Sequence, residues 1–278
     1  MNNGLVINSN SGLYRVRTDG GEVVCRAKGL LRLGTVFPVT GDTVTLAEEG
    51  GAFLIDGIGG RKNFLVRPPL ANLDAVVLVV STVAPAPNTF VLDKLTAIME
   101  NCGIETAILF TKCDLKRFED MEAVYRKAGF AVFTSPSEQT DLKDFLRGKT
   151  AALIGNTGAG KTTLLNNLSG GAIAEKTAEV SRKLGRGKHT TRETTMYQLD
   201  GYSLVDTPGF SAVESARYGD FSRDRLPHLF REFAPYIERC GYADCRHIKE
   251  NDCEIRAALS RGEIAETRYE SFCQMTAE

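Results

Sequence analysis

The chain has no excess of charge of either sign: 34 Lys+Arg stand against 35 Asp+Glu, a formal net charge of −1 over 278 residues. That balance gives no global sign of a nucleic-acid binder, so any such role must rest on local patches. Long hydrophobic runs are missing as well. The most apolar stretch, AVVLVVSTVA at 75–84, falls well short of the roughly 20 residues that span a bilayer, and no membrane association is expected. The opening MNNGLVINSN has neither the basic start nor the apolar run of a secretory signal. A cytoplasmic protein is therefore expected, and its seven cysteines read as reduced thiols or metal ligands rather than disulfides. Internal repeats and low-complexity tracts are absent too. What is present is the composition of a soluble globular protein, 42% hydrophobic and 25% charged. Its length suits two domains of roughly 100–200 residues, or three if two are small.

Residues 1 to 68 read as all-β. Short runs such as GLYRVRT, EVVCRAKG, DTVTLAEE and GAFLIDGIG are separated by Gly, Asp and Asn, with no helical period. A small barrel is expected, with the OB type leading; an SH3-like barrel fits the same pattern. VRPPLANLD (66–74) reads as a Pro-marked boundary. Beyond it, apolar strands at AVVLVVST, ETAILF, AVFT and AALIG alternate with helical stretches at 88–101, DMEAVYRKAGF and DLKDFLRGK. That alternation predicts a parallel sheet covered by helices. TTMYQLDGYSLVDT (194–207) predicts a hairpin turning at Asp200-Gly201, and from Phe221 onward the chain reads as mostly helical.

Gly155-Asn156-Thr157-Gly158-Ala159-Gly160-Lys161-Thr162, followed by Thr163, satisfies G-x-x-x-x-G-K-[ST] between an apolar strand and a helix. Glycines let the backbone N–H groups turn toward phosphates at the positive end of the helix. Lys161 brings charge to the β- and γ-phosphates, and the Thr162 hydroxyl is a Mg²⁺ ligand. Thr111-Lys112-Cys113-Asp114 follows a buried strand and selects the base. Its carboxylate accepts from guanine N1–H and N2–H₂ together, a donor pair adenine lacks, while the Lys112 stem covers the base plane. Ser135, after AVFT, is placed for its backbone to touch guanine O6. In LVDTPGF (204–210), Asp206 reads as holding Mg²⁺ through water and the Gly209 N–H as sensing the γ-phosphate. The intervening SRKLGRGKHTTRETT (181–195) reads as a mobile loop. In it Thr191, or failing that Thr190, binds Mg²⁺ only while the γ-phosphate is present. All these loops lie at carboxyl ends of strands, where open α/β sheets bind ligands. The base loop precedes the phosphate loop, the reverse of the usual GTPase order. Cutting the usual domain after its Asp-x-x-Gly strand and joining its old ends produces that order without changing the pocket.

Cys240, Cys245, His247 and Cys253 form C-x4-C-x-H-x5-C. Three thiolates and an imidazole make a tetrahedral zinc set with no open position, hence one structural Zn²⁺. Cys25, Cys102, Cys113 and Cys273 read as ordinary core or surface thiols. Basic side chains gather in the 181–195 loop (Arg182, Lys183, Arg186, Lys188, Arg192) and in the barrel (Arg26, Lys28, Arg32, Arg61, Lys62, Arg67). Such charges neutralise RNA phosphates, although a solvated, salt-bridged surface reads the same way.

With these motifs in hand, the chain resembles the circularly permuted GTPases, and closely the ribosome small-subunit-dependent GTPase A family (RsgA, also called YjeQ). The resemblance runs through VRPPLANLD, TKCD, GNTGAGKTT, GKHTTRET, DTPGF and the cysteine cluster. It implies a multi-domain chain. An OB-like β-barrel is expected over 1–68, a central α/β circularly permuted P-loop GTPase domain over 69–218, and a mainly helical zinc-binding domain over 219–278. It implies GTP hydrolysis to GDP with Mg²⁺, stimulated by the small ribosomal subunit and driving release, in late maturation of that subunit. Contact with its rRNA and a monomeric state are expected. The implied strand order is 194–199, 202–206, 150–155, 75–82, 105–110 and 130–134. Phe210 stands where many GTPases carry a water-orienting Gln, and the resemblance suggests His189 for that task; a solvated loop histidine is the plain alternative. Gly158 stands where potassium-activated relatives carry Asn. A different class, a nucleotide-gated scaffold or metal-delivery protein not acting on the ribosome, is the rival reading.

Overall fold

Two-residue turns with positive φ at both positions close two hairpins near the N-terminus: Ser11 (48°) with Gly12 (82°), and Gly50 (59°) with Gly51 (77°). Turns of this kind match the twist of the strands they join. They connect β1 (Asn2–Asn10) to β2 (Leu13–Thr18) and β4 (Thr43–Glu49) to β5 (Ala52–Ile58), with β3 (Gly21–Ala27) between the pairs. The computed structural model describes residues 2–29, 31, 36–135, 137–173, 194–208 and 215–277. By internal contacts the chain divides into two compact units. One is Met1–Ala75 with Lys143–Ile154 and Lys161–Gly209; the other is Val76–Leu142 with Gly155–Gly160 and Phe210–Glu278.

In the first unit the strands run β1-β2-β3-β5-β4, and β4 pairs back onto β1 from Asn2↔Leu46 to Leu5↔Thr43. The ring is closed, with β3 and β5 parallel. Val6, Tyr14, Val16, Cys25, Val44, Leu46 and Ile55 fill it. This is the expected OB-like barrel. Beyond Val6, β1 stays paired with β2, while its other edge passes from β4 to β12 (Thr194–Leu199) through Asn8↔Thr195 and Ser9↔Thr194. Next in order come β13 (Tyr202–Asp206), antiparallel to β12, and β11 (Thr150–Ile154), parallel to β13. VRPPLANLD is more than a boundary. β6 (Phe64–Val66) and β7 (Pro69–Ala71) form a hairpin across it, because Leu65 and Leu70 face each other and are both buried.

In the second unit β8 (Ala75–Ser81), β9 (Glu105–Thr111) and β10 (Ala131–Thr134) are neighbours in that order, with β9 and β10 parallel. The expected strand order is met within each unit. Helix α1 (Thr89–Asn101) starts where the Asn88 side chain accepts the Val91 N–H at 3.0 Å, and it stops at Gly103, φ 64°. These are ordinary N-cap and left-handed C-terminal signals. Helices α2 (Glu119–Lys127), α3 (Gln139–Leu146) and α4 (Lys161–Leu168) follow along the chain. The C-terminal part is helical but fragmented: 3₁₀ turns at Leu226–Leu229 and Arg231–Phe233, then α5 (Ala234–Ile237), α6 (Glu254–Ser260) and α7 (Glu266–Ala277). Phe230, Phe233 and Phe272 pack ring on ring at its centre, and Ala97 of α1 belongs to the same core.

Candidate functional site

The phosphate loop is the segment between β11 and α4. At Gly155 a Cβ would lie 2.3 Å from the Val79 carbonyl oxygen, so only glycine lets the backbone pass that close to β8. Gly160 sits at φ 103°, a conformation L side chains rarely adopt. Ala159 is buried and donates to the Asn156 carbonyl at 3.1 Å, which tightens the loop, while Thr157 and Gly158 are exposed. Lys161 opens α4 as a buried cation, and Thr162 and Thr163 beside it are exposed.

Asp206 ends β13, level with Leu153 of β11, and is buried. Burial pushes its carboxyl above the usual range, and the attraction of Lys161 works against that shift. Burial lowers the Lys161 ammonium, and Asp206 pulls it back up. The two charges therefore support each other. The Thr207 hydroxyl donates to the Leu153 carbonyl at 2.6 Å and fixes the exit of β13. Gly209, His189, Thr190 and Thr191 lie outside the described residues, as do Phe210 and the basic residues of the 181–195 loop.

The base loop follows β9. Thr111 Oγ1 donates to the Ala159 carbonyl at 2.6 Å, and Lys112 Nζ donates to the Gly158 carbonyl at 2.9 Å and to that of Ala84. TKCD and the glycines of the phosphate loop are thus brought together. Lys112 has φ 61°, strained for a residue with a side chain, and the Thr82 hydroxyl clasps the carbonyls of both Thr111 and Lys112 at 3.0 Å. Nothing in the local sequence signals Thr82's part. Asp114 is exposed and has no side-chain partner among the described residues, as suits an acceptor facing a ligand. Ser135 is adjacent, since its carbonyl accepts the Cys113 N–H at 3.3 Å. Its own N–H goes to the Phe110 carbonyl at 2.8 Å. Position 136 is proline and has no N–H. Among the described residues, the donors this loop can offer include the Ser135 hydroxyl and the Ser137 N–H.

Cys240, Cys245, His247 and Cys253 converge, with all four ligand atoms within 4.8 Å of one another. His247 Nδ1 is 3.5 Å from both Cys240 Sγ and Cys253 Sγ. Zn–S bonds of about 2.3 Å and Zn–N bonds of about 2.0–2.1 Å at tetrahedral angles put S and N about 3.5 Å apart, so the set fits zinc. Burial, followed by crowding from Cys253 and Cys240, pushes the Cys245 thiol up to about 12. Such crowding is relieved when a cation takes the thiolates. His247 has φ 61°, and its carbonyl accepts from Tyr269 OH at 2.7 Å. Glu250 gathers the N–H groups of Arg246, Ile248 and Lys249 at 3.0–3.2 Å. Sequence reasoning missed both supports. Glu250 lies inside the cluster's span and was findable; Tyr269 carries no local signal.

The RsgA GTPase family model matches residues 58–216, and the RsgA N-terminal domain model matches residues 3–52. The chain belongs to the RsgA GTPase family. A relative from Geobacillus kaustophilus is 37% identical over 100% of this chain and 97% of its own length. Another, from Caldanaerobacter subterraneus, is 37% identical over 99% and 95%. Each is named a small ribosomal subunit biogenesis GTPase RsgA. Among solved structures, YjeQ from Thermotoga maritima has a TM-score of 0.74 at 28% identity, covering 99% of this chain and 97% of that one. YloQ, described as a circularly permuted GTPase, has a TM-score of 0.76 at 28% identity, covering 99% and 93%. As an RsgA GTPase the chain hydrolyses GTP to GDP and phosphate with Mg²⁺, and its Cys₃His set fits one structural zinc.

Among the barrel cations singled out for RNA, Lys28 is paired with Glu49 and Asp56, Arg61 with the buried Asp42, and Lys62 with Asp74. Arg26 is exposed with no ion pair among the described residues, and Arg32 lies outside them. No helix among the described residues is long and apolar enough to cross a membrane.

Proposed function

We propose that this GTPase binds the small ribosomal subunit, assists its late maturation, and leaves as GDP forms. The observation that carries this reading is the match, along nearly the whole of both chains, to relatives named for small-subunit biogenesis. In this reading Lys161 and the N–H groups of residues 155–163 hold the β- and γ-phosphates. Thr162, Asp206 and Thr191 (or Thr190) hold Mg²⁺, which when bound neutralises charge on the transferring phosphoryl group. The Gly209 N–H reports the γ-phosphate, and His189 orients the attacking water. Asp114 accepts from the guanine edge, Lys112 covers its plane, Thr111 ties the base loop to the phosphate loop, and the Ser135 loop donates to O6.

Contact with rRNA belongs to the same proposal. It draws on Arg26 and on the basic loop at 181–195 rather than on Lys28, Arg61 and Lys62, whose charges are already matched. A cytoplasmic monomer, divided at about residues 68 and 218, completes it. The scaffold or metal-delivery reading is not favoured, because four protein ligands leave the zinc site no exchangeable position. Co-sedimentation with purified subunits is the test. Retention on small subunits with a non-hydrolysable GTP analogue, weaker retention with GDP and none on large subunits is expected. Equal retention on both subunits would refute it.

A further inference from the structure

We propose that Glu122 is a positioning residue for base recognition, holding the two loops that read guanine at a fixed separation. The proposal rests on the reading of Asp114 as the guanine acceptor. Glu122 lies on α2 and is only 2% exposed. Its Oε2 accepts from Arg117 Nη2 at 3.3 Å and from Arg126 Nη1 at 3.1 Å, and its Oε1 is buried without a partner among the described residues. Arg117 closes the segment that carries Asp114. Arg126 reaches the other loop: its Nη2 donates to the Val132 carbonyl at 3.1 Å and lies 3.8 Å from Glu138 Oε2. That same oxygen accepts the Thr134 N–H at 2.7 Å, one residue before Ser135. An alternating chain of charges, Arg117–Glu122–Arg126–Glu138, therefore joins the end of one base loop to the start of the other.

A buried carboxylate is costly, and a helix that needed only packing would be served by an apolar residue. Glu122 instead draws in two arginines whose side chains are 51% and 43% exposed. Among the described residues Asp114 has no side-chain partner of its own to aim it. Its paired contact with N1–H and N2–H₂ depends on the frame beneath, because hydrogen bonds weaken steeply with angle.

The test compares GDP, IDP (which lacks the 2-amino group) and ADP binding to the full-length protein by calorimetry. The variants are Glu122→Gln, Glu138→Ala and Asp114→Asn. The expected result is that Glu122→Gln and Glu138→Ala each reduce the GDP-over-IDP preference by about tenfold, the scale of one hydrogen bond to a charged group. ADP has no donor pair for Asp114, and its affinity should not change. If thermal stability falls while the preference stays as in the wild type, Glu122 is merely structural and the proposal is overturned. If Asp114→Asn also leaves the preference intact, the guanine reading fails and this proposal falls with it. If Asp114→Asn removes the preference and the other two do not, only the positioning role is lost. Glu138 is a third exposed, so Glu138→Ala decides the matter should Glu122→Gln not fold.

Discussion

Arg268 Nη1 donates to Asp93 Oδ1 at 2.7 Å with both side chains 1% exposed, which pins the last helix of the chain to α1. Glu232 takes the remaining face of the guanidinium at 2.6 and 3.1 Å, Thr96 Oγ1 accepts at 3.0 Å, and Tyr125 OH donates to the same Asp93 oxygen at 2.7 Å. Removing one member of such a network strands the others, at a cost of about 3–5 kcal/mol. Arg268→Ala should lower the unfolding free energy by that amount in urea titration. Tyr125→Phe, which removes one hydrogen bond to a charged group, should cost only about 1.5–3 kcal/mol. Equal effects would mean that packing, not charge, holds this junction.

Base choice and chemistry separate by mutation. Asp114→Asn should shift preference from guanine to xanthine nucleotides, because the amide presents a donor where guanine has its own. Lys161→Ala should reduce GTP turnover by at least about 10²–10³-fold, the scale of removing one transition-state donor. Competition binding and single-turnover assays read the two effects independently.

The Cys₃His set should bind one zinc per chain, and its loss should unfold the C-terminal part, since metal affinity at such sites is folding free energy. Chelation followed by far-UV circular dichroism and metal quantification checks this. Because burial and crowding raise the Cys245 and Cys253 thiols above the usual range, and zinc takes thiolates, apparent zinc affinity should rise with pH. Full helicity after zinc removal would contradict a structural role.

Asp74 supplies a test by acid. Burial raises its carboxyl, but Lys62 and the Thr150 N–H outweigh that and hold it below the usual range. A depressed folded value makes its stabilisation complete above the ordinary aspartate range near pH 4, and that stabilisation drains away as pH falls through the depressed value. Asp74→Asn should therefore be less stable than wild type at neutral pH, with the gap closing on acidification in denaturant melts at stepped pH. A gap that stayed constant would assign Asp74 a role independent of its charge.

Much of the molecule was legible because its chemistry is local. The phosphate loop, TKCD, Asp206 and the cysteine cluster are each compact patterns, and the two-residue turn at Asp200-Gly201 declared its hairpin. What is not legible in the sequence depends on distant partners. Arg268 meets Asp93 across 175 positions and Glu232 across 36, so no spacing announces it. The β6–β7 hairpin was hidden because Arg67-Pro68-Pro69 reads as a linker, although Leu65 and Leu70 anchor it in the interior. Counting barrel cations overstated the charge open to RNA, since three of them are matched by acids brought near only by folding.

The most direct measurement of the central claim is GTP hydrolysis by the full-length protein alone, with purified small subunits and with large subunits. The account predicts slow turnover alone, strong stimulation by small subunits and none by large ones. The same slow rate in all three would leave a GTPase and contradict its assignment to the small subunit.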